Sequence, residues 1–67
     1  MNMKLKLFKA KYSWQYAGGM ILVAAMDFIR ANELIRAYPG EWDDAEEIIG
    51  ASYRGEEGVL DAGWYAE

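Results

Sequence analysis

Apolar and polar residues alternate strictly along one stretch near the start of the chain. From Phe8 to Tyr16 every second residue is apolar, and the residues between are polar. A period of two is typical of a β-strand with one buried and one solvated side, because a helix would distribute these side chains around its axis. We call the apolar set the aromatic stripe; it comprises Phe8, Ala10, Tyr12, Trp14 and Tyr16. The helix predicted below needs an apolar floor, so we assign the stripe to the core and keep a recognition surface as the alternative.

The stripe belongs to a predicted hairpin that runs from about Met3 to Met26. Gly18 and Gly19 predict its turn, because glycine adopts positive φ angles at little cost. The returning run, residues 20–26, is apolar on both sides. That pattern is typical of a central strand covered on both faces, either within the domain or by a second subunit.

The apolar side of the first strand switches near Leu7. Met3, Leu5 and Leu7 alternate with lysines, but on the opposite side from the stripe. A β-bulge near Leu7 and Phe8 would restore a single apolar side, and this is our preferred interpretation. Without a bulge, these residues form an apolar patch on the back of the sheet, and such a patch on a small domain marks an interface. Met3, Leu5 and Leu7 are therefore candidate partner-binding residues.

One amphipathic helix follows the hairpin. Asp27 predicts its N-cap, and apolar residues recur at intervals of three and four from Phe28 to Tyr38. Pro39 and Gly40 predict its end, since proline disfavours helical geometry in the residue before it and glycine permits the chain to reverse.

Two further strands are predicted after the helix. Residues 45–53 and Val59–Ala66 have strand-like patterns, and residues 54–58 form a glycine-bracketed turn between them. The predicted fold is a single α+β domain over residues 1–67, of order ββαββ: a four-stranded antiparallel sheet of two hairpins with one amphipathic helix packed on one face. In the last strand we place Leu60, Ala62, Trp64 and Ala66 on one face and Val59, Asp61, Gly63 and Tyr65 on the other.

The size of the chain limits its core. A domain of 67 residues buries only about 60% of the surface of its unfolded chain. The sequence has no cysteine for a disulfide and no histidine, so a structural zinc site is also excluded. Aromatic residues make up 15% of the chain, and each buries a large area. Stability must therefore come from an aromatic core or from self-association.

Charge is divided unevenly along the chain. The first 26 residues carry four lysines and no acid (+4), and the rest carry three arginines and eleven acids (−8), which gives the net charge of −4. The favoured interpretation is that lysines of one strand pair with carboxylates of another, for example Lys9 or Lys11 with Asp61. The alternative is two surface patches of opposite sign that steer a partner or self-assembly.

Few residues of this chain can support catalysis. Without histidine or cysteine, most general-base, thiol and transition-metal sites are excluded. Neither serine lies in a nucleophile-elbow sequence, and the glycines are not spaced as a phosphate loop. The acids of residues 41–47 lack the spacing of an EF-hand, so we interpret them as a solvated acidic connector rather than a cation site. We therefore predict no enzyme activity, no cofactor and no metal.

The predicted function is a non-catalytic protein-interaction module, self-associating as a homodimer or binding an unknown host protein. Tyrosine and tryptophan are enriched at interface hot spots. The candidate binding residues are Met3, Leu5 and Leu7, together with Trp42, Asp43 and Asp44 in the acidic connector. One alternative is an acidic decoy that inhibits a nucleic-acid-binding enzyme. A less favoured alternative, single-stranded nucleic-acid binding on sheet aromatics, conflicts with the acidic net charge.

The longest apolar run argues against a membrane segment. Residues 20–26 fall well below the roughly 20 residues that span a bilayer, and the start of the chain lacks the layout of a signal peptide. The absence of cysteine is compatible with a reducing compartment. The sequence therefore predicts a soluble cytoplasmic protein.

Overall fold

The computed structural model describes residues 4–13 and 17–66. Its elements are β1 (Lys4–Lys11), β2 (Ala17–Ala25), α1 (Phe28–Ala37), β3 (Glu46–Arg54) and β4 (Gly58–Ala66). The four strands form one antiparallel sheet, and α1 packs on one face of it. The predicted α+β fold of order ββαββ is confirmed.

The strand order differs from two consecutive hairpins. It is β3-β1-β2-β4, with β3 paired to β1 and β4 paired to β2. β1 and β2 form the central hairpin, as predicted. The predicted second hairpin is wrong, since β3 and β4 are the two edges of the sheet. The central hairpin has a free edge on each side, and one strand pairs with each edge. The glycine-bracketed link between β3 and β4 does not determine whether these two strands pair with each other.

The turn of the central hairpin does not lie at Gly18 and Gly19. Both glycines belong to β2, where they pair with β4, and the N–H of Tyr12 donates to the carbonyl of Gly19 (3.1 Å). Because both glycines lie within this strand, the turn prediction at these positions is wrong. Trp14 and Tyr16 of the aromatic stripe lie outside the described residues.

The main core lies between α1 and the side of the sheet that we call the front face. Phe8 and Ala10 of the aromatic stripe are buried there, which confirms the core prediction for these two residues. The rest of the cluster comes from β2, α1 and the segment before β3, namely Ile21, Val23, Ala25, Ala31, Ile35 and Ala45. Phe8 and Ala10 therefore form part of the floor beneath the helix, whereas Tyr12 is only partly buried and its ring packs against Trp42.

The helix begins and ends where the sequence indicates. Asp27 is its N-cap, and the Asp27 carboxylate accepts the backbone N–H of Arg30 (2.8 Å). Tyr38 is its C-cap. Only one side of α1 is buried, through Ala31 and Ile35, as expected for an amphipathic helix on a sheet.

A one-residue bulge in β4 changes which side its residues face. Leu22 of β2 pairs with Asp61, and the next residue, Val23, pairs with Val59. Leu60 is therefore the extra residue of β4. The bulge places Val59 on the front face together with Ala62, and both pack against the core. The predicted faces hold for Asp61, Ala62 and Gly63, whereas the prediction that separated Val59 from Ala62 is wrong. A bulge shifts the alternation by one residue, and the residue pattern alone does not reveal it.

A second irregularity lies between β1 and β3. Lys6 pairs with Ser52 and Phe8 pairs with Glu47, so residues 48–51 of β3 lie opposite the single residue Leu7. β3 therefore has three extra residues here, which we call the insertion at residues 48–51. β1 itself stays in unbroken register with β2. The predicted bulge in β1 is therefore wrong, because the extra residues belong to the neighbouring strand at the same level of the sheet.

Because β1 is regular, its apolar side does switch along the strand. Residues opposite each other in an antiparallel pair share a face. Leu5 lies opposite Tyr53, and Leu7 lies opposite Ala24. All four therefore belong to the side away from α1, which we call the back face. The alternative interpretation of the sequence holds for Leu5 and Leu7, whereas Met3 lies outside the described residues.

The link between β3 and β4 draws the two edges of the sheet together. β3 ends at Arg54, which lies opposite Lys4, the first residue of β1. β4 begins at Gly58, which lies opposite Ala24 of β2. Ala24 in turn lies opposite Leu7, so the two ends are offset by three residues along β1. In a flat sheet these two ends would lie about 17 Å apart, from three strand spacings and the offset. Residues 55–57 allow at most about 14 Å. The sheet therefore departs from flatness at this end, where Leu5 and Ala24 are buried on a face that α1 does not cover. We infer that these two residues lie on the concave side of a curl.

Candidate interaction surfaces

The back face has a buried end and an open end. At the curled end Leu5 is 3% exposed and Ala24 is fully buried. Further along the strands Leu7 and Leu22 are partly buried, and Met20 is 54% exposed. Leu5, which the sequence predicted as a partner-binding residue, is therefore inside the domain. The accessible apolar part of the back face begins at Leu7.

Trp42 anchors the acidic connector to the rest of the domain. Its indole N–H donates to the carbonyl of Pro39 (3.2 Å). Its ring packs edge-on against Tyr12, with 5.0 Å between the ring centroids, and lies 6.3 Å from the ring of Tyr38. An isolated β-bridge also joins the backbones of Trp42 and Tyr12. The structure thus gives this predicted site residue a clear structural role, holding the end of α1 beside β1.

Asp43 and Asp44, the other predicted site residues of the connector, face solvent. The N–H of Asp43 donates to the carbonyl of Lys11 (2.9 Å), which continues the pairing along β1. The Asp44 carboxylate lies 3.9 Å from the guanidinium of Arg36, a distance typical of a weak surface ion pair. Within residues 4–13 and 17–66, no three acidic side chains are close enough together to hold a metal ion.

An open cleft of about 480 Å³ separates the acidic connector from the central hairpin. Lys9 and Lys11 line one side, and Asp43, Asp44 and Glu46 line the other. Two lysines and three carboxylates therefore line the same cleft. This arrangement does not favour a phosphate, a carboxylate or a metal cation over the others.

The predicted pairing of Asp61 with a lysine is not formed. Asp61 and Lys9 lie opposite the same β2 residue, Leu22, from its two sides. Their backbones are therefore about 10 Å apart on the back face, with Leu22 between them. Among the ion pairs of the described residues, all of the cations are arginines.

Glu57, in the β3–β4 link, accepts hydrogen bonds from two residues at the start of α1. One oxygen of its carboxylate accepts the N–H of Met26 (2.8 Å), and the other accepts the Nε–H of Arg30 (3.3 Å). Arg30 also donates to Glu33 (3.3 Å). These two carboxylates, Glu57 first and Glu33 second, raise the pKa of Arg30 above its ordinary value. This contact could not be predicted from local sequence patterns, because Glu57 is 27 residues from Arg30.

The described tyrosines of the sheet do not present free rings side by side. The ring of Tyr12 is in contact with Trp42. The ring of Tyr53 lies over Gly55, where a Cβ atom would come within 2.8 Å of it. Stacking of bases needs an accessible ring face. The described part of the sheet therefore adds no support to the nucleic-acid alternative.

Comparison with known proteins identifies no relative of this chain. No protein-family model, curated protein or solved structure matches the chain significantly. Among the described residues, no helix has both the length and the apolar character needed to cross a membrane. Function is therefore inferred from the surfaces of the domain itself.

Proposed function

We propose that this chain is a non-catalytic protein-interaction domain that associates with a second copy of itself. The observation that supports this most directly is the balance between buried and exposed apolar side chains. The largest fully buried side chains are Phe8, Ile21, Val23 and Ile35. In the described residues, six large apolar side chains are more than a third exposed: Met20, Met26, Phe28, Ile29, Ile49 and Leu60.

Association would remove part of this exposed apolar surface from water. Each Å² of buried apolar surface contributes about 25 cal/mol, and a domain of this size has few other sources of stability. Isolated exposed apolar residues are normal on a monomer. Here, however, Met26, Phe28 and Ile29 are close together at the start of α1, and Met20 lies on the uncovered part of the back face. Clustering of this kind favours an interface.

The proposal does not include catalysis. The chain has no histidine and no cysteine, and the acids that line the cleft, Asp43, Asp44 and Glu46, are exposed. General acids and bases usually depend on burial or on a closely held charge to tune them. We therefore propose binding as the activity and protein as the ligand.

Sedimentation equilibrium of the full chain at several protein concentrations tests this proposal. We expect the average mass to rise from that of one chain towards that of two as the concentration increases. The midpoint of thermal unfolding should rise as well, because association stabilises only the folded state. A monomeric mass at every concentration would rule out self-association.

A second candidate function is an acidic decoy that occupies the nucleic-acid site of an enzyme. It is favoured by the exposure of all five acids in residues 41–47, of which only Asp44 lies in an ion pair with another described residue. Unpaired carboxylates create a negative field that a basic surface attracts. We expect the wild-type chain to capture a basic nucleic-acid enzyme from host lysate, and the variant D43N/D44N to capture less. Recovery of no such enzyme would contradict this candidate.

A further inference from the structure

The two edge strands of the sheet differ in how well they are protected from pairing with another chain. β3 forms one edge and β4 the other. β3 carries three charged residues, Glu46, Glu47 and Arg54, and the insertion at residues 48–51 interrupts its ladder. Charged residues and bulges are the features that keep natural edge strands from pairing with other chains. β3 is therefore a protected edge.

β4 lacks this protection over most of its length. Its bulge is confined to Leu60, and from Asp61 to Ala66 it pairs with β2 without interruption. Asp61 is the only charged residue in the strand. Within the regular stretch, a Cβ atom at Gly63 would have no described atom within 4 Å, so the back face beside this stretch is uncovered at that position.

The hydrogen-bond pattern shows which backbone groups of β4 point outwards. In an antiparallel sheet, successive residues of a strand direct their N–H and C=O groups alternately to its two sides. The N–H of Tyr12 donates to Gly19, so even-numbered residues of β2 face β4. Gly63 pairs with one of these residues and faces β2 in return. The N–H and C=O groups of Ala62 and Trp64 therefore point to the outer edge, where no described residue pairs with them.

We propose that the outer edge of β4 pairs antiparallel with β4 of a second copy, which joins the two sheets into one sheet of eight strands. This inference rests on the proposed self-association and names the strand edge through which it occurs. Of the exposed apolar side chains, Met20 and Leu60 lie beside this edge. The cluster at residues 26–29 lies at the other end of the sheet, outside the contact. A two-fold axis makes the edge its own complement, with Ala62 and Trp64 supplying donors and acceptors from both chains. In a pair centred on Gly63, the outward-facing Ala62 of each chain lies opposite Trp64 of the other, and the two Asp61 side chains lie at opposite ends, so like charges do not face each other.

The same arrangement at the β3 edge is unfavourable for two reasons. Residues 48–51 leave no long regular stretch for a partner strand. Glu46 and Glu47 would also bring further negative charge together in a chain whose net charge is already −4. The difference between the edges is what selects β4.

A matched pair of proline variants of the full chain tests this assignment. In A62P the edge loses an outward N–H and gains a ring in the path of the pairing strand, a position that edge strands tolerate. S52P is the control, because Ser52 pairs with Lys6 and, by the same alternation, points outwards from the β3 edge. By sedimentation equilibrium, we expect A62P to raise the dissociation constant of the dimer about tenfold or more. S52P should leave it unchanged, and both variants should keep the far-UV circular dichroism of the wild type.

Amide hydrogen exchange of the wild type gives a second readout that does not depend on the folding of a variant. We expect the N–H groups of Ala62 and Trp64 to exchange more slowly as the protein concentration rises, and that of Ser52 to be unaffected. If the chain dimerises without this change, or if folded A62P dimerises as tightly as the wild type, the β4 assignment is overturned while self-association stands. A wild-type chain that stays monomeric at every concentration overturns both.

Discussion

The front and back faces of the sheet bury their apolar residues by different means. On the front, α1 covers Phe8 and the cluster around it. On the back, no described helix is present, and Leu5 is enclosed because residues 55–57 are too short to let the edges lie flat. Local sequence signals a helix, whereas the curl depends on which strands the link joins. Similar alternating patterns can therefore be buried in two ways. A neighbouring helix covers Phe8, whereas the connection between distant strands encloses Leu5.

The largest effect is expected from the front face. Phe8→Ala removes a side chain that is 1% exposed and should lower the free energy of unfolding by about 3–5 kcal/mol. Urea denaturation followed by tryptophan fluorescence measures this loss. The control, Ile49→Ala, changes a side chain that is 84% exposed and should cost less than about 0.5 kcal/mol. Equal costs for the two variants would refute the assignment of Phe8 to the core.

The next effect tests whether the back face is truly packed. Leu5→Ala removes a side chain that is 3% exposed and should cost about 2–4 kcal/mol. Leu7→Ala, on the same face and strand but only partly buried, should cost clearly less in the same urea assay. If truncation at Leu5 costs no more than truncation at Leu7, the curled end of the sheet does not enclose its apolar residues.

Lengthening the β3–β4 link should reduce the cost of truncating a residue on the back face without changing the cost on the front face. Inserting three glycine or serine residues after Gly55 relaxes the curl, while the entropy of the longer loop alone costs only about 0.6 kcal/mol per doubling of length. In the lengthened chain, Leu5→Ala should cost about 1 kcal/mol less than in the wild type, whereas Phe8→Ala should cost the same. Urea curves for the double-mutant cycle give both coupling energies. Zero coupling between the insertion and Leu5 would show that the link does not enclose the back face.

The smallest effect concerns the local signal that starts the covering helix. Asp27→Ala removes the carboxylate that accepts the N–H of Arg30 and should cost about 1 kcal/mol. Asp27→Asn keeps an acceptor at the same place and should recover most of that loss. Thermal unfolding of the two variants distinguishes them. Identical midpoints for Ala and Asn would mean that the cap contributes nothing measurable to the front face.

The elements of this fold were predictable because each depends on neighbouring residues. Asp27 and Pro39 bound the helix in sequence as they do in the structure, and the period-two patterns locate the strands. The strand order was not predictable, because pairing joins residues far apart in the chain. The bulge at Leu60 was also hidden, since one extra residue changes the faces of β4 without a distinctive residue type.

The candidate surface was predicted only in part. Asp43 and Asp44 are exposed, as a solvated connector requires, but Leu5 is buried and Trp42 is held by contacts within the domain. The sequence prediction did not include the β4 edge that we propose as the pairing surface, because a strand becomes an edge only through the topology. One signal was present in the sequence, namely that Asp61 is the sole charge between Gly58 and Ala66.

The strand order also bears on how the chain reaches its folded state. The β1–β2 hairpin can form from residues that are close together in the chain, whereas β3 and β4 pair with strands that lie far from them in sequence. Because residues 55–57 are short, we expect both edges to add in one late step, with the slow kinetics typical of non-local pairing. Refolding should then show a first-order phase followed by a phase whose rate depends on protein concentration. The surface that recruits a second copy would come into being only when the sheet is complete, so that unfolded chains do not present it to one another.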